Sequence, residues 1–217
     1  MIRIGMAAML VVLTTTGCAS TNPPVADTSD LEALYWERQE AAIQSYTPAD
    51  VSFMTGMIAH HAQALVMSRM APERSASGQV KTLAARIINA QNDEIATMQR
   101  WLRDRGQPVP EIHIDGNHLM VHGAGDHSMS MPGMLSKEQI DDLAASSGNE
   151  FDRLFLTYMI QHHEGATTMV KELFGTDGAG QDEASFRLAS DINVDQITEI
   201  ARMKRMLESL TSSTQGR

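Results

Sequence analysis

The chain repeats itself. Asp50, Phe53, Met57, Ile58, His60, His61, Ala64 and Met67 recur 102 positions later as Asp152, Phe155, Met159, Ile160, His162, His163, Ala166 and Met169. A second block, running from Leu83 and Ala84 through Gln91, Glu94 and Met98 to Leu102, returns at an offset of 105 from Leu188 and Ala189 through Gln196, Glu199 and Met203 to Leu207. Apolar residues in both blocks fall three and four apart, the period of a helix with one buried face. Pro72 ends the first helix, and Gly106 stops the second ahead of Pro108 and Pro110, as the helix-stop rules require. The unit is therefore a helical hairpin used twice. A single hairpin leaves its apolar stripe open, and two of them close into a four-helix bundle. The expected fold class is all-α: a four-helix bundle from two repeated helical hairpins, with extra N-terminal and short connecting helices.

Local signals place the rest. Thr47-Pro48-Ala49-Asp50 is a helix start with a capping box, and Ser136 with Gln139 is another. Asn149 to Asp152 opens the third long helix, the segment 175–180 is a turn, and a last helix spans about 182–210. A short amphipathic helix is expected over 29–45, with Leu31, Leu34, Tyr35, Arg38 and Ala42 on one side. The segment 107–135 loses helical periodicity and is rich in Gly, His and Met; no segment reads as a strand.

The N-terminus points to export. Arg3 followed by the apolar run Ile4–Leu13 makes residues 1–17 a signal peptide, too short to span a bilayer and stay there. Gly17-Cys18 resembles a bacterial lipobox, with Thr15 where an aliphatic residue is usual, so Cys18 is the expected lipidation site and membrane anchor. An ordinary cleaved signal is the alternative. Residues 18–30 read as a tether, 31–210 as the bundle with its His/Met-rich loop 107–135, and 211–217 as a tail. The expected location is the periplasmic side of the cell envelope.

Cys18 is the only cysteine, which excludes an intramolecular disulfide and a thiolate metal cage. Formal charge is −10, and losing the signal removes only Arg3 from the charged set. Such an acidic chain repels nucleic acid and is compatible with cations. Sixteen methionines are many for 217 residues.

The chemistry sits at the repeated turn. Positions 50, 57 and 64 form the middle of the buried stripe. Met57 therefore faces inward, and His60 and His61 straddle it about 100° apart. Met159, His162 and His163 repeat this arrangement. The two triplets either meet or form separate sites. Imidazole with thioether suits Cu(I), and imidazole also suits Cu(II) and zinc. Thioether needs no deprotonation, so it serves where a thiol would be oxidised. Gln91, Glu94, Gln196 and Glu199 on the inward stripe of the following helices either orient those imidazoles or bond to one another. Met98, Met203 and Met206 read as packing, and Asp50 and Asp152 as caps. A second cluster occupies the loop: His113, His118, Met120, His122, His127, Met129, Met131 and Met134, spaced by glycines, as in a flexible copper- or silver-binding segment.

Asp50–Met67 and Ser147–Val170 together resemble the ferritin-like domain-of-unknown-function family numbered 305, over roughly 45–210. The resemblance implies a helical bundle, bacterial export and, for some members, an association with copper binding and tolerance. It implies no enzymatic activity. The two halves differ where Ala62 and Gln63 face Glu164 and Gly165, so Glu164 has no counterpart as a ligand.

The function expected is copper sequestration or buffering by an exported protein, with silver or zinc as possible cargo and a copper-handling protein as a possible partner. A ferritin-like di-metal oxidase needs Glu-x-x-His on two helices; here Thr97 and Arg202 follow Glu94 and Glu199 at that spacing. A zinc-protease motif needs a second His where Thr167 stands. A structural or partner-binding bundle without metal is the remaining alternative.

Overall fold

The computed structural model describes residues 28–123 and 131–215. Its elements in chain order are α1 (Ser29–Gln44), α2 (Pro48–Arg69), α3 (Ala71–Arg74), α4 (Gly78–Asp104), β1 (Glu111–Asp115), β2 (His118–His122), α5 (Lys137–Ala145), α6 (Gly148–Gly175) and α7 (Glu183–Gln215). Helix α2 packs along α4, and α6 along α7; the hairpins join through α2 against α6 and α4 against α7. The duplicated hairpins thus close into an all-α bundle.

The capping boxes form as the sequence requires. Thr47 accepts from the Asp50 amide while its own amide donates to the Asp50 carboxylate at 2.9 Å, and Ser136 and Gln139 do the same for α5. Each satisfies amides that a helix start leaves without partners.

Asp50 and Asp152 do more than cap. The second carboxylate oxygen of Asp50 accepts from the Gly180 amide at 2.8 Å and the Ser185 hydroxyl at 2.9 Å, at the start of α7. Asp152 does not cap α6, whose first turn has no side-chain cap. It accepts instead from the Ser77 amide at 2.8 Å and from the Ser75 hydroxyl, at the start of α4. Each aspartate of one hairpin thus ties down the turn of the other. Burial would push the Asp50 carboxyl up, but the donors from Thr47, Gly180 and Ser185 outweigh it and hold it below the usual carboxylate range.

Two apolar clusters fill the bundle. One gathers Val66, Leu83, Ile87, Phe151, Phe155, Met159 and Met203; the other gathers Phe53, Met57, Ile58, Ile95, Met98, Trp101, Met169 and Ile192. Burial of each large side chain contributes roughly 1.5–3 kcal/mol. Helices α2 and α6 traverse the clusters in opposite order. Both pass from one cluster to the other at their paired histidines.

Two expectations are corrected. The segment 107–135 is not loop throughout: β1 and β2 pair antiparallel, with Glu111 opposite His122, Ile112 opposite Val121, His113 opposite Met120 and Asp115 opposite His118. Gly116, at φ +59°, makes the tight turn. Strict alternation was present in Ile112, Ile114, Leu119 and Val121. Their burial against the bundle gives the hairpin its inner face. Helix α1 forms, but none of its side chains over residues 29–41 is buried; the side chain of Ala42 lies outside those described. Leu31, Leu34 and Tyr35 are all exposed.

Candidate metal centre

The repeated turns meet in space. His60, His61, His162 and His163 are each fully buried, at 0 % exposure. The rings of His60 and His162, one from each hairpin, lie 3.8 Å apart between centroids. His61 and His163 flank them at 6.5 and 6.2 Å. One cluster forms, not two.

Two of the four rings hydrogen-bond through Nε2, and a third has a carboxylate oxygen beside it. His163 donates to Glu199 Oε2 at 2.7 Å and His60 to the Pro132 carbonyl at 3.0 Å. His61 Nε2 lies 2.7 Å from Glu94 Oε2, outside the in-line hydrogen-bond direction. Carbonyl and carboxylate oxygens only accept, so in His60 and His163 the proton stays on Nε2 and the Nδ1 lone pair is unused. The Nδ1 atoms of His60 and His163, and both nitrogens of His61 and His162, have no hydrogen-bond partner within the protein. A buried polar atom without a partner costs roughly 1–3 kcal/mol. Six such nitrogens in one place are a donor set of the type that soft and borderline cations take.

The site also rejects protons. Burial, followed by the His61 ring, pulls His60 down to about 3, and burial with the neighbouring His60 ring holds His162 well below the ordinary histidine range. Both rings are neutral at pH 7, the form that ligates metal.

Of the two arrangements the sequence left open, each glutamate stands beside an imidazole: Glu199 accepts from His163, and Glu94 lies against His61. Gln91 and Gln196 do not. Both are buried, yet both amide atoms of Gln91 and Oε1 of Gln196 have no partner within the protein. Met57 and Met159 are fully buried, but each packs in a different apolar cluster. Met98 and Met203 are core, as expected. Glu164 is half-exposed and pairs with Lys204 at 2.9 Å.

The loop candidates divide. His118, Met120 and His122 stand exposed on the outer face of the hairpin. Met131 and Met134 are part-buried in the segment that leads back to α5. His127, Met129 and Cys18 lie outside the described residues.

Sequence reasoning missed the strap over the site. Residues 131–135 cross α2 and α6 beside the rings. Gln63 clamps the Leu135 backbone, donating to its carbonyl at 3.0 Å and accepting from its amide at 2.8 Å. A Cβ at Gly165 would overlap the Pro132 carbonyl and come within 2.6 Å of the Gly133 Cα. This explains why the halves differ at 63 and 165. A single strap crosses a two-fold arrangement, so the two equivalent positions meet different neighbours. The broken symmetry was the available signal.

As placed, no three His, Cys, Asp or Glu side chains among the described residues converge closely enough to hold an ion. At 3.8 Å the central rings are nearer than two imidazoles sharing one ion, whose centroids stand roughly 4.5–6 Å apart for metal–nitrogen bonds of about 2.0–2.1 Å. The donors are gathered, and the central pair must part to use them.

A duplicated helical hairpin with four histidines buried where its halves cross defines the class. Residues 50–207 match the model of the domain of unknown function DUF305, and the chain belongs to that family. Solved structures resemble it throughout the bundle. A DUF305 fragment from Deinococcus radiodurans is 32 % identical, with a TM-score of 0.61 over 76 % of this chain and 98 % of that one. A putative secreted DUF305 protein from Streptomyces coelicolor is 26 % identical, with a TM-score of 0.63 over 75 % and 94 %. CopM in its Cu(II)-bound form is 30 % identical, with a TM-score of 0.56 over 74 % and 96 %; CopM has also been solved in Cu(I)- and silver-bound forms. None of the curated proteins compared matches this chain.

Proposed function

We propose that this protein binds copper outside the cytoplasm, sequestering or buffering the ion through the buried imidazoles of His60, His61, His162 and His163. The observation that carries this reading is the set of six partnerless ring nitrogens at the crossing of α2 and α6. The similarity to CopM, solved with Cu(I), Cu(II) and silver, supports copper as the cargo, with silver or zinc as competitors.

In this proposal Glu94, Glu199 and the Pro132 carbonyl hold Nε2–H, so each Nδ1 lone pair is available without releasing a proton. Separation of His60 from His162 opens the space between them. Met57 and Met159 are the nearest thioether candidates along the helices, and Met131 and Met134 those on the strap. Export with a lipid anchor at Cys18 is part of the same proposal, as is transfer to a copper-handling protein. Among the described residues no helix is long and apolar enough to cross a membrane.

Copper titration of the purified full-length chain tests the site. The His162→Leu variant should lose one bound equivalent of Cu(I), or weaken it at least tenfold, while keeping its helical circular dichroism. Unchanged stoichiometry and affinity would sink the helix site.

A further inference from the structure

The hairpin carries a pattern that the buried site does not use. Its inward positions are Ile112, Ile114, Leu119 and Val121, all apolar. Its six outward positions are Glu111, His113, Asp115, His118, Met120 and His122, and every one is exposed and bears a metal-ligating group. Exposed strand edges are commonly guarded by Lys or Pro. Neither occurs here. Leaving Met120 half in solvent also forgoes burial that an apolar side chain normally finds.

The register gathers the set. His113 stands opposite Met120, and Glu111 opposite His122. The diagonal pair His113 and His122 have ring centroids 5.7 Å apart and planes at 64°. That separation falls within the range for two imidazoles on one ion, roughly 4.5–6 Å for metal–nitrogen bonds of about 2.0–2.1 Å. Opposite side chains on a strand pair have Cβ atoms about 4.5–5.5 Å apart, so the Glu111 carboxylate and the Met120 thioether reach the same point by rotating in open solvent.

We propose that the outer face of the hairpin is a second metal site, taking Cu(II) through the imidazoles of His113 and His122 and the carboxylate of Glu111, with the Met120 thioether as a weak fourth donor. Two imidazoles with a carboxylate suit the divalent ion. The backbone is pinned by cross-strand hydrogen bonds and by the apolar inner face, so only side chains need move. The site rests on the same choice of copper as cargo. It is separate from the buried rings, because its donors are exposed and theirs are sealed.

The metal-free full-length chain is titrated with copper(II) chloride and followed by calorimetry and electron paramagnetic resonance. Wild type is compared with His113→Ala/His122→Ala and with His162→Leu. The hairpin variant should lose one equivalent of Cu(II) together with a signal split by two nitrogens, with its melting temperature unchanged. His162→Leu should keep both. Retention of that equivalent and signal by the hairpin variant overturns the second site and leaves the buried site standing. If instead His162→Leu binds Cu(I) like wild type while the hairpin variant loses Cu(II), the buried site falls and the second site stands.

Discussion

The helix histidines and the hairpin histidines are the same side chain in opposite solvents. At the α2–α6 crossing, burial keeps His60 and His162 neutral and strips their nitrogens of water, so every partnerless atom is a standing cost. On the hairpin, His113 and His122 meet water, and an unused ring nitrogen costs nothing. In the proposed copper reading, the buried set is reached only when packed rings part, and the exposed set needs only a change of rotamer.

Acid should expose the contrast most strongly. His60 titrates near 6.5 when unfolded and near 3 when folded, so below about pH 6.5 the unfolded chain takes up protons that the native core refuses. Stability should be complete above pH 6.5 and fall by roughly 1.4 kcal/mol per pH unit for His60 between pH 6.5 and 3, with His162 adding in the same direction. Urea unfolding from pH 7 to 4 measures this. The slope should largely disappear in His60→Leu/His162→Leu and persist in His113→Ala/His122→Ala. A slope that survives loss of the core rings would contradict the account of the buried site.

The strap comes next. Gly165→Ala forces the Pro132–Gly133 backbone off α6 and should cost about 2–4 kcal/mol, within the range of severe core overpacking. Denaturant midpoints check it, and a loss below about 0.5 kcal/mol would mean that the strap does not seat on this helix.

Smaller still is a matched pair of leucines. His162→Leu removes two partnerless nitrogens from the core and should stabilise the metal-free protein by about 1–2 kcal/mol. His122→Leu on the exposed face should change stability by no more than about 0.5 kcal/mol. Destabilisation by His162→Leu would show that the ring is already satisfied.

Much of the bundle was readable because helices announce themselves locally. Proline and glycine stops, capping boxes and the doubled heptad stripe depend on residues within a few turns of one another, and α2, α4, α6 and α7 follow them. The hairpin was missed for a related reason. Its outward His, Met and acidic residues resembled an unstructured metal-binding tract, which hid four alternating apolar residues. Asp152 was misplaced because its partners, Ser75 and Ser77, are remote in sequence.

By itself the sequence determined the duplicated hairpin, the helical class and the inward direction of His60, His61, His162 and His163, since periodicity and capping act over short separations. The tertiary structure alone decided that the two pairs form one cluster, that Glu199 hydrogen-bonds His163 and Glu94 stands beside His61 while Gln91 and Gln196 do not, and that a strap breaks the symmetry at Gln63 and Gly165. Those outcomes depend on the angle and depth at which α2 crosses α6, which are set by the packing of every buried side chain at once and are written in no single stretch of the chain.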